Sequence, residues 1–243
     1  MEVSSKWVQV QNGDLAIDAY LAAPDNPEGQ LPGVIVIQEI FGVNQHIREV
    51  TTRLAAAGYV AIAPAIYQRQ APGFEAGYSA EDLKVGRQYK VQTQATELLS
   101  DIQATIDYLY TLPQVKPAGV GTIGFCFGGH VVYLAATLKQ VAATASFYGA
   151  QIATWCPGSD EPTINRTQDI TGTIYAFFGR EDPLIPLEET EQVAAKLAEC
   201  QIKHQVFLYD ATHGFMCNLR DSYNPQAAKD AWEKVLDLFS QKL

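Results

Sequence analysis

Short apolar runs rich in β-branched residues alternate along this chain with longer segments of helical periodicity. Residues 34–37 form a continuous β-branched run, and residues 59–63, 120–125, 141–147, 173–178 and 203–208 are of similar character. A run with no polar alternation suits a strand buried on both faces, which occurs in parallel sheets covered by helices. Helical stretches fall between the runs. One spans about residues 45–57 and stops at Gly58, and another spans 95–110 with Leu98, Ile102, Ile106 and Leu109 on one face. A third runs near 127–138. Two more carry Val193, Leu197 and Cys200, and Ala228, Ala231, Trp232, Val235 and Phe239. Strand–helix alternation of this kind predicts an α/β fold with a mostly parallel twisted sheet and helices on both faces.

The first 21 residues differ. Trp7, Val8 and Val10 precede Asn12-Gly13, and Leu15, Ile17, Ala19 and Leu21 alternate after it. Asn-Gly between alternating runs predicts an antiparallel hairpin, attached as a sheet edge. A Pro-containing loop is expected over residues 150–170. No repeat or flexible linker interrupts the 243 residues, so one domain over 1–243 is the expectation.

Composition limits the function classes. With 47% hydrophobic and 18% charged residues the chain can build a continuous core. Acidic residues outnumber basic ones 27 to 17, and the formal charge of −10 repels phosphate backbones and anionic headgroups. The expected partner is therefore a small molecule, not nucleic acid or membrane. The basic stretch and long apolar run of a secretory signal are missing from the N-terminal residues, and no run approaches the roughly 20 apolar residues of a membrane span. Cys126, Cys156, Cys200 and Cys217 are widely spaced. Reduced thiols in a cytoplasmic protein are the expectation, as a monomer or small homo-oligomer.

In parallel sheets the chemistry collects beyond the carboxyl ends of the strands. The sharpest feature there is Gly124-Phe125-Cys126-Phe127-Gly128-Gly129, at the end of one predicted strand and the start of a helix. A nucleophile on so tight a turn needs glycines beside it, and the turn aims the side chain at the open top of the sheet. A lone cysteine is more often a small buried apolar residue, but this spacing in strand–turn–helix context points to a nucleophile, with the Phe127 N–H aimed at the oxygen of an attacked carbonyl. A base and an orienting acid are then expected later in the chain. Of the four histidines, His46 and His130 fall in predicted helices and His204 in a strand, which fits structural or surface roles. His213 follows the last predicted strand and is the candidate base. Asp182, in Arg180-Glu181-Asp182-Pro183, follows the preceding strand and is favoured over Asp210 as the acid because it completes the order nucleophile, acid, base.

Several segments carry a family likeness. Residues 34–42 (Val-Ile-Val-Ile-Gln-Glu-Ile-Phe-Gly), His46-Ile47-Arg48, 53–60, 69–73, the cysteine elbow, 179–186 and His213-Gly214-Phe215 run in order over nearly the whole chain. Together they resemble the dienelactone hydrolase family of the α/β-hydrolase fold. The resemblance implies a Cys126–Asp182–His213 triad, an oxyanion hole from the N–H groups of Ile40 and Phe127, and a Glu39 that faces the resting thiol. Without it Glu39 would pass for an exposed loop acid. The implied chemistry is hydrolysis of a carboxylic ester or lactone through an acyl-thioester, with no metal or organic cofactor. Dienelactone-cleaving members of the family that the chain resembles place arginines around the pocket, one of them shortly after the catalytic histidine; four residues past His213 this chain has Cys217, with Arg220 three further on. Arg87, Tyr89 and Arg220 are the residues that could meet a substrate carboxylate. His213 and Cys217 are spaced to share a metal, but no further ligand pair accompanies them, and Cys217 is most simply a small apolar residue. Two other readings stay open: a thiol redox protein using Cys126, with Cys156 or Cys217 resolving, and a hydrolase-like ligand-binding protein without turnover.

Overall fold

The computed structural model describes residues 2–243. Eight strands form one sheet: β1 (Val3–Asn12), β2 (Leu15–Pro24), β3 (Gly33–Ile37), β4 (Val60–Pro64), β5 (Val120–Phe125), β6 (Val141–Phe147), β7 (Thr173–Gly179) and β8 (Lys203–Tyr209). Their order is β1-β2-β4-β3-β5-β6-β7-β8. Strands β3 to β8 are mutually parallel, whereas β2 pairs antiparallel with both β1 and β4. The hairpin is thus the antiparallel edge that the alternating pattern predicts.

Helices α1 (Gln45–Ala56), α2 (Ala80–Gln92), α3 (Ala95–Thr111), α4 (Phe127–Ala135), α5 (Leu187–Glu199) and α6 (Pro225–Lys242) complete the layers. The buried strands show why a continuous apolar run is needed. Val34 and Val36 of β3 join a core with Ile47 and Leu54 of α1 and Val235 and Phe239 of α6. Their neighbours Ile35 and Ile37 point the other way, into a core with Ile102 and Ile106 of α3 and Val131 of α4. Side chains of period two must be apolar on both faces when helices cover both. Among the described residues, no helix is long and apolar enough to cross a membrane.

The structure moves the hairpin turn by one residue. Asn12 pairs with Leu15 in the ladder, so the loop is Gly13-Asp14, with Gly13 at φ +58. Asn12 stays in the strand because its side chain is engaged elsewhere: its amide donates to Asp101 Oδ1 of α3 at 2.7 Å. Cys200 lies just past α5 as its C-terminal capping residue rather than on its apolar face. Two helical segments escape the periodicity argument. Only Gly86 of α2 is buried, so that helix shows no apolar stripe, and its start is set instead by a capping box between Ser79 and Asp82. Within the loop expected at 150–170, Thr163–Asp169 forms a 3₁₀ turn.

Asp101, almost fully buried, also accepts two bonds from Arg69, at 2.7 and 3.2 Å, and so ties the hairpin and the segment after β4 to α3. Asp101→Ala removes the buried acceptor shared by Arg69 and Asn12, leaving them Glu97 at 4.0 Å and Ser100 at 2.9 Å. It is expected to lower the unfolding free energy by about 1–3 kcal/mol, read from the midpoint of urea denaturation with an unchanged slope.

Candidate active site

Cys126 occupies the turn between β5 and α4 with φ 56 and ψ −117, a backbone region that L-residues other than glycine rarely adopt. Its N–H donates to the Phe147 carbonyl at 3.0 Å and its carbonyl accepts the His130 N–H at 3.2 Å, which hold the strained residue in place. The flanking glycines are a matter of space. A Cβ on Gly124 would drive into the Gly128 carbonyl, and one on Gly128 into the carbonyls of Ile37 and Gln38. Only without those atoms can α4 begin directly against the end of β3. That approach puts Phe127 and Ile40 on the wall of one cavity of about 390 Å³, together with Cys126 and His213.

The loops after β7 and β8 bring the other two groups in. The Arg180 N–H donates to the Tyr209 carbonyl and the Glu181 N–H to that of Ala211, so the loops travel together. His213 Nδ1 lies 2.7 Å from Asp182 Oδ2, and the second oxygen of Asp182 accepts the Leu184 N–H at 2.8 Å. Both residues are buried. A carboxylate at Nδ1 fixes that nitrogen as a donor and leaves Nε2 for the proton exchanged with Cys126. Nε2 has no other hydrogen-bond partner, and the nearby Cys126 acts on it both by charge and by hydrogen bonding. The rival acid Asp210 points away, mostly exposed and paired with Arg180 at 3.3 Å. The Tyr148 ring and the imidazole pack in a T-shaped arrangement, with centroids 5.0 Å apart. Tyr148 itself takes φ 36, and its buried hydroxyl has no partner.

Glu39 is fully buried, not the exposed loop acid its sequence context alone would indicate. One oxygen accepts from Arg220 at 3.1 Å, and the other has no partner. Burial pushes its carboxyl upward, opposed by the charges of Arg220 and His213. The carboxylate is therefore engaged with Arg220 rather than hydrogen-bonded to the thiol. Of the three candidates for a substrate carboxylate, Arg87 and Arg220 line the cavity, while Tyr89 packs against Tyr67 and Phe74. Lys90 of α2 also lines it, 2.5 Å from Gln151 Oε1 and 4.6 Å from the Trp155 ring centre. Burial lowers its pKa.

The described cysteines are all free thiols. Cys217 donates to the Tyr78 hydroxyl at 3.2 Å, and Cys156 sits in a separate small cluster with Ala95 and Leu134. His130 is structural, bridging Ala150 O and Thr163 Oγ1, and His204 bonds the Ile202 carbonyl.

This architecture and site have counterparts among known proteins. The model of the dienelactone hydrolase family matches residues 17–243. The chain belongs to the dienelactone hydrolase family. It is 57% identical, over all of its own length and 99% of the relative's, to a Synechocystis protein assigned as a carboxymethylenebutenolidase. A Bradyrhizobium protein assigned as a 2-oxo-3-(5-oxofuran-2-ylidene)propanoate lactonase is 30% identical over 96% of this chain and 93% of the relative. A crystal structure of a protein assigned as a dienelactone hydrolase from Klebsiella pneumoniae superposes with TM-score 0.90 at 29% identity, covering 99% of this chain and 100% of that one. The fold is accordingly that of the α/β-hydrolases, and this dienelactone hydrolase homologue is a hydrolase of esters or lactones.

Three features of the hydrolase site were not legible beforehand. Lys90 and Leu83 come from α2, the helix without an apolar stripe. Tyr148 follows β6 in an ordinary-looking Phe-Tyr-Gly. The charge pair of Arg220 with Glu39 joins residues 181 positions apart, which no local spacing encodes.

His213 offers a direct check of this electrostatic picture. Burial alone would lower its pKa, but the Cys126 sulfur and the Asp182 carboxylate outweigh that and raise it to about 10. A raised value means the folded state holds the proton more tightly. This contribution to stability is complete below about pH 6.5 and is lost as pH rises through about 10. NMR titration of the His213 ring should give a midpoint near 10. In both Cys126→Ala and Asp182→Asn the midpoint should fall toward the ordinary histidine value. An unchanged midpoint in either variant would break the assignment.

Proposed function

We propose that the 243 residues act as one hydrolase domain, cleaving an ester or lactone that carries an anionic group, with Cys126, His213 and Asp182 as its triad. The observation that carries this reading is the Asp182-held imidazole, its Nε2 otherwise unused, on the same cavity wall as a cysteine on a strained elbow. The Cys126 proton rests on His213 Nε2, as the raised pKa of the ring favours, and the thiolate attacks the carbonyl carbon. The oxyanion rests on the N–H groups of Ile40 and Phe127. Neither of these donates in the backbone bonds of the described loops and caps. The C–O bond then breaks, the leaving oxygen takes the proton from His213, and an acyl-thioester remains. A water gives its proton to Nε2 and attacks the thioester; expulsion of the thiolate, which takes the proton back, releases the acid. Thiolates leave readily, so the site suits activated acyl groups such as enol lactones better than amides.

The cations of the cavity support an acidic substrate. Arg87 and Arg220 line it in a chain whose net charge is −10, so the cavity is an exception to the overall field. A substrate carboxylate at Arg220 competes with Glu39 for the guanidinium, and Glu39 is then available to face the thiol. The Bradyrhizobium relative's name describes a lactone that is also a carboxylic acid.

Cleavage of a chromogenic acyl ester and of an enol lactone bearing a carboxylate is the test. Cys126→Ala and His213→Ala should each lower kcat/KM by at least about 10³-fold. Cleavage that survives Cys126→Ala would remove the triad from consideration. Arg220→Gln should raise KM for the carboxylated lactone by about 10- to 100-fold, the worth of a hydrogen bond between charged groups, and change KM for a neutral ester far less.

A further inference from the structure

Beside Arg220, three residues meet that the hydrolytic reading does not use together. Glu39 comes from the loop after β3, His46 from the first turn of α1 and Cys217 from the loop after β8. All three are buried, and one donor atom from each lies within 4.8 Å of the other two. Two of these side chains hold atoms with nothing to bond. Glu39 Oε2 and His46 Nε2 are both buried and unpartnered, an arrangement that costs on the order of 1–3 kcal/mol per group unless something satisfies them. Cys217 has only the Tyr78 hydroxyl.

We propose that Glu39, His46 and Cys217 bind a thiophilic divalent cation of the zinc class. One sulfur, one imidazole nitrogen and one carboxylate oxygen form a donor set of the kind zinc takes, and three protein ligands leave a fourth position for water. Ligands about 2.0–2.3 Å from a tetrahedral ion sit about 3.5 Å apart, so closure from the present spacing is a side-chain adjustment. His46 suits the role because its Nε2 is buried without a partner and offers a nitrogen within reach of the other two donors. Outer partners are in place as well. The Asn44 amide donates to the Tyr78 hydroxyl at 3.2 Å, and Tyr78 meets the sulfur. On binding, the Cys217 S–H bond breaks, its proton leaves to solvent and a sulfur–metal bond forms, with no change of oxidation state. The two anionic donors neutralise the ion. Arg220, which lines the cavity and pairs with the first Glu39 oxygen, is the group that must yield on entry. This places the site apart from the His213–Cys217 spacing noticed in the sequence, since His213 is committed to Asp182. Metal binding itself is independent of the proposed triad. Reversible loss of ester cleavage, through the capture of Glu39, is a consequence that rests on it.

The test uses cobalt(II) as a spectroscopic probe on the full chain, followed by displacement with zinc(II). The expected result is one equivalent bound with a thiolate-to-cobalt charge-transfer band, retained in Cys126→Ala and lost in Cys217→Ser. His46→Gln should weaken binding by at least about tenfold. A band that persists in Cys217→Ser, or disappears in Cys126→Ala, overturns the proposal and assigns the ion to another thiol. Absence of any band, with no displacement by zinc, overturns it equally.

Discussion

The closeness with which α4 can start against the ends of β3 and β5 governs the rest of this molecule. Gly124 and Gly128 leave out the two Cβ atoms that would collide with the backbone there. Their absence lets the chain reverse in a single residue, and Cys126 takes up the resulting strain at φ 56. The same approach draws the Gln38–Ile40 loop beside the first N–H groups of α4. The candidate nucleophile and the candidate oxyanion donors therefore share one packing event. An alanine at either glycine would move both, and no compensating side-chain rotation could restore them, because the obstacle is backbone.

Around that elbow the charges are arranged against the average of the protein. A chain of net charge −10 turns Arg87, Lys90 and Arg220 toward a single cavity. Glu39, fully buried, is held among cations on one side and a neutral imidazole on the other. A buried carboxylate is costly unless paired, so Arg220 and Glu39 constrain each other's position. Any anion that reaches Arg220 disturbs Glu39, and any cation that reaches Glu39 disturbs Arg220. The hydrolytic cavity and the cluster of Glu39, His46 and Cys217 are coupled through that one ion pair.

Where local pattern and tertiary structure disagree, the disagreements have a common origin. The Asn12-Gly13 turn moves to Gly13-Asp14 because Asn12 bonds an aspartate 89 residues away. Helix α2 has no apolar stripe because it is shared between a core edge, where Tyr89 packs, and the cavity, which Leu83, Arg87 and Lys90 line. Cys217 looks like a filler until its neighbours from β3 and α1 are known.

The sequence by itself determined the parallel sheet, the order of every helix except α2 and the loop positions of Cys126, Asp182 and His213. Each of these is encoded locally: β-branched runs, helical periodicity, glycines at a fixed offset from a nucleophile, and polar residues just past strand ends. Chain order already favours Asp182 over Asp210, but only the tertiary structure brings that carboxylate to the imidazole, buries Glu39 against Arg220 and makes α2 a wall of the cavity. These depend on which strand ends become neighbours in the order β3-β5-β6-β7-β8 and on which charges can share a desolvated space, and neither is written in any contiguous stretch of residues.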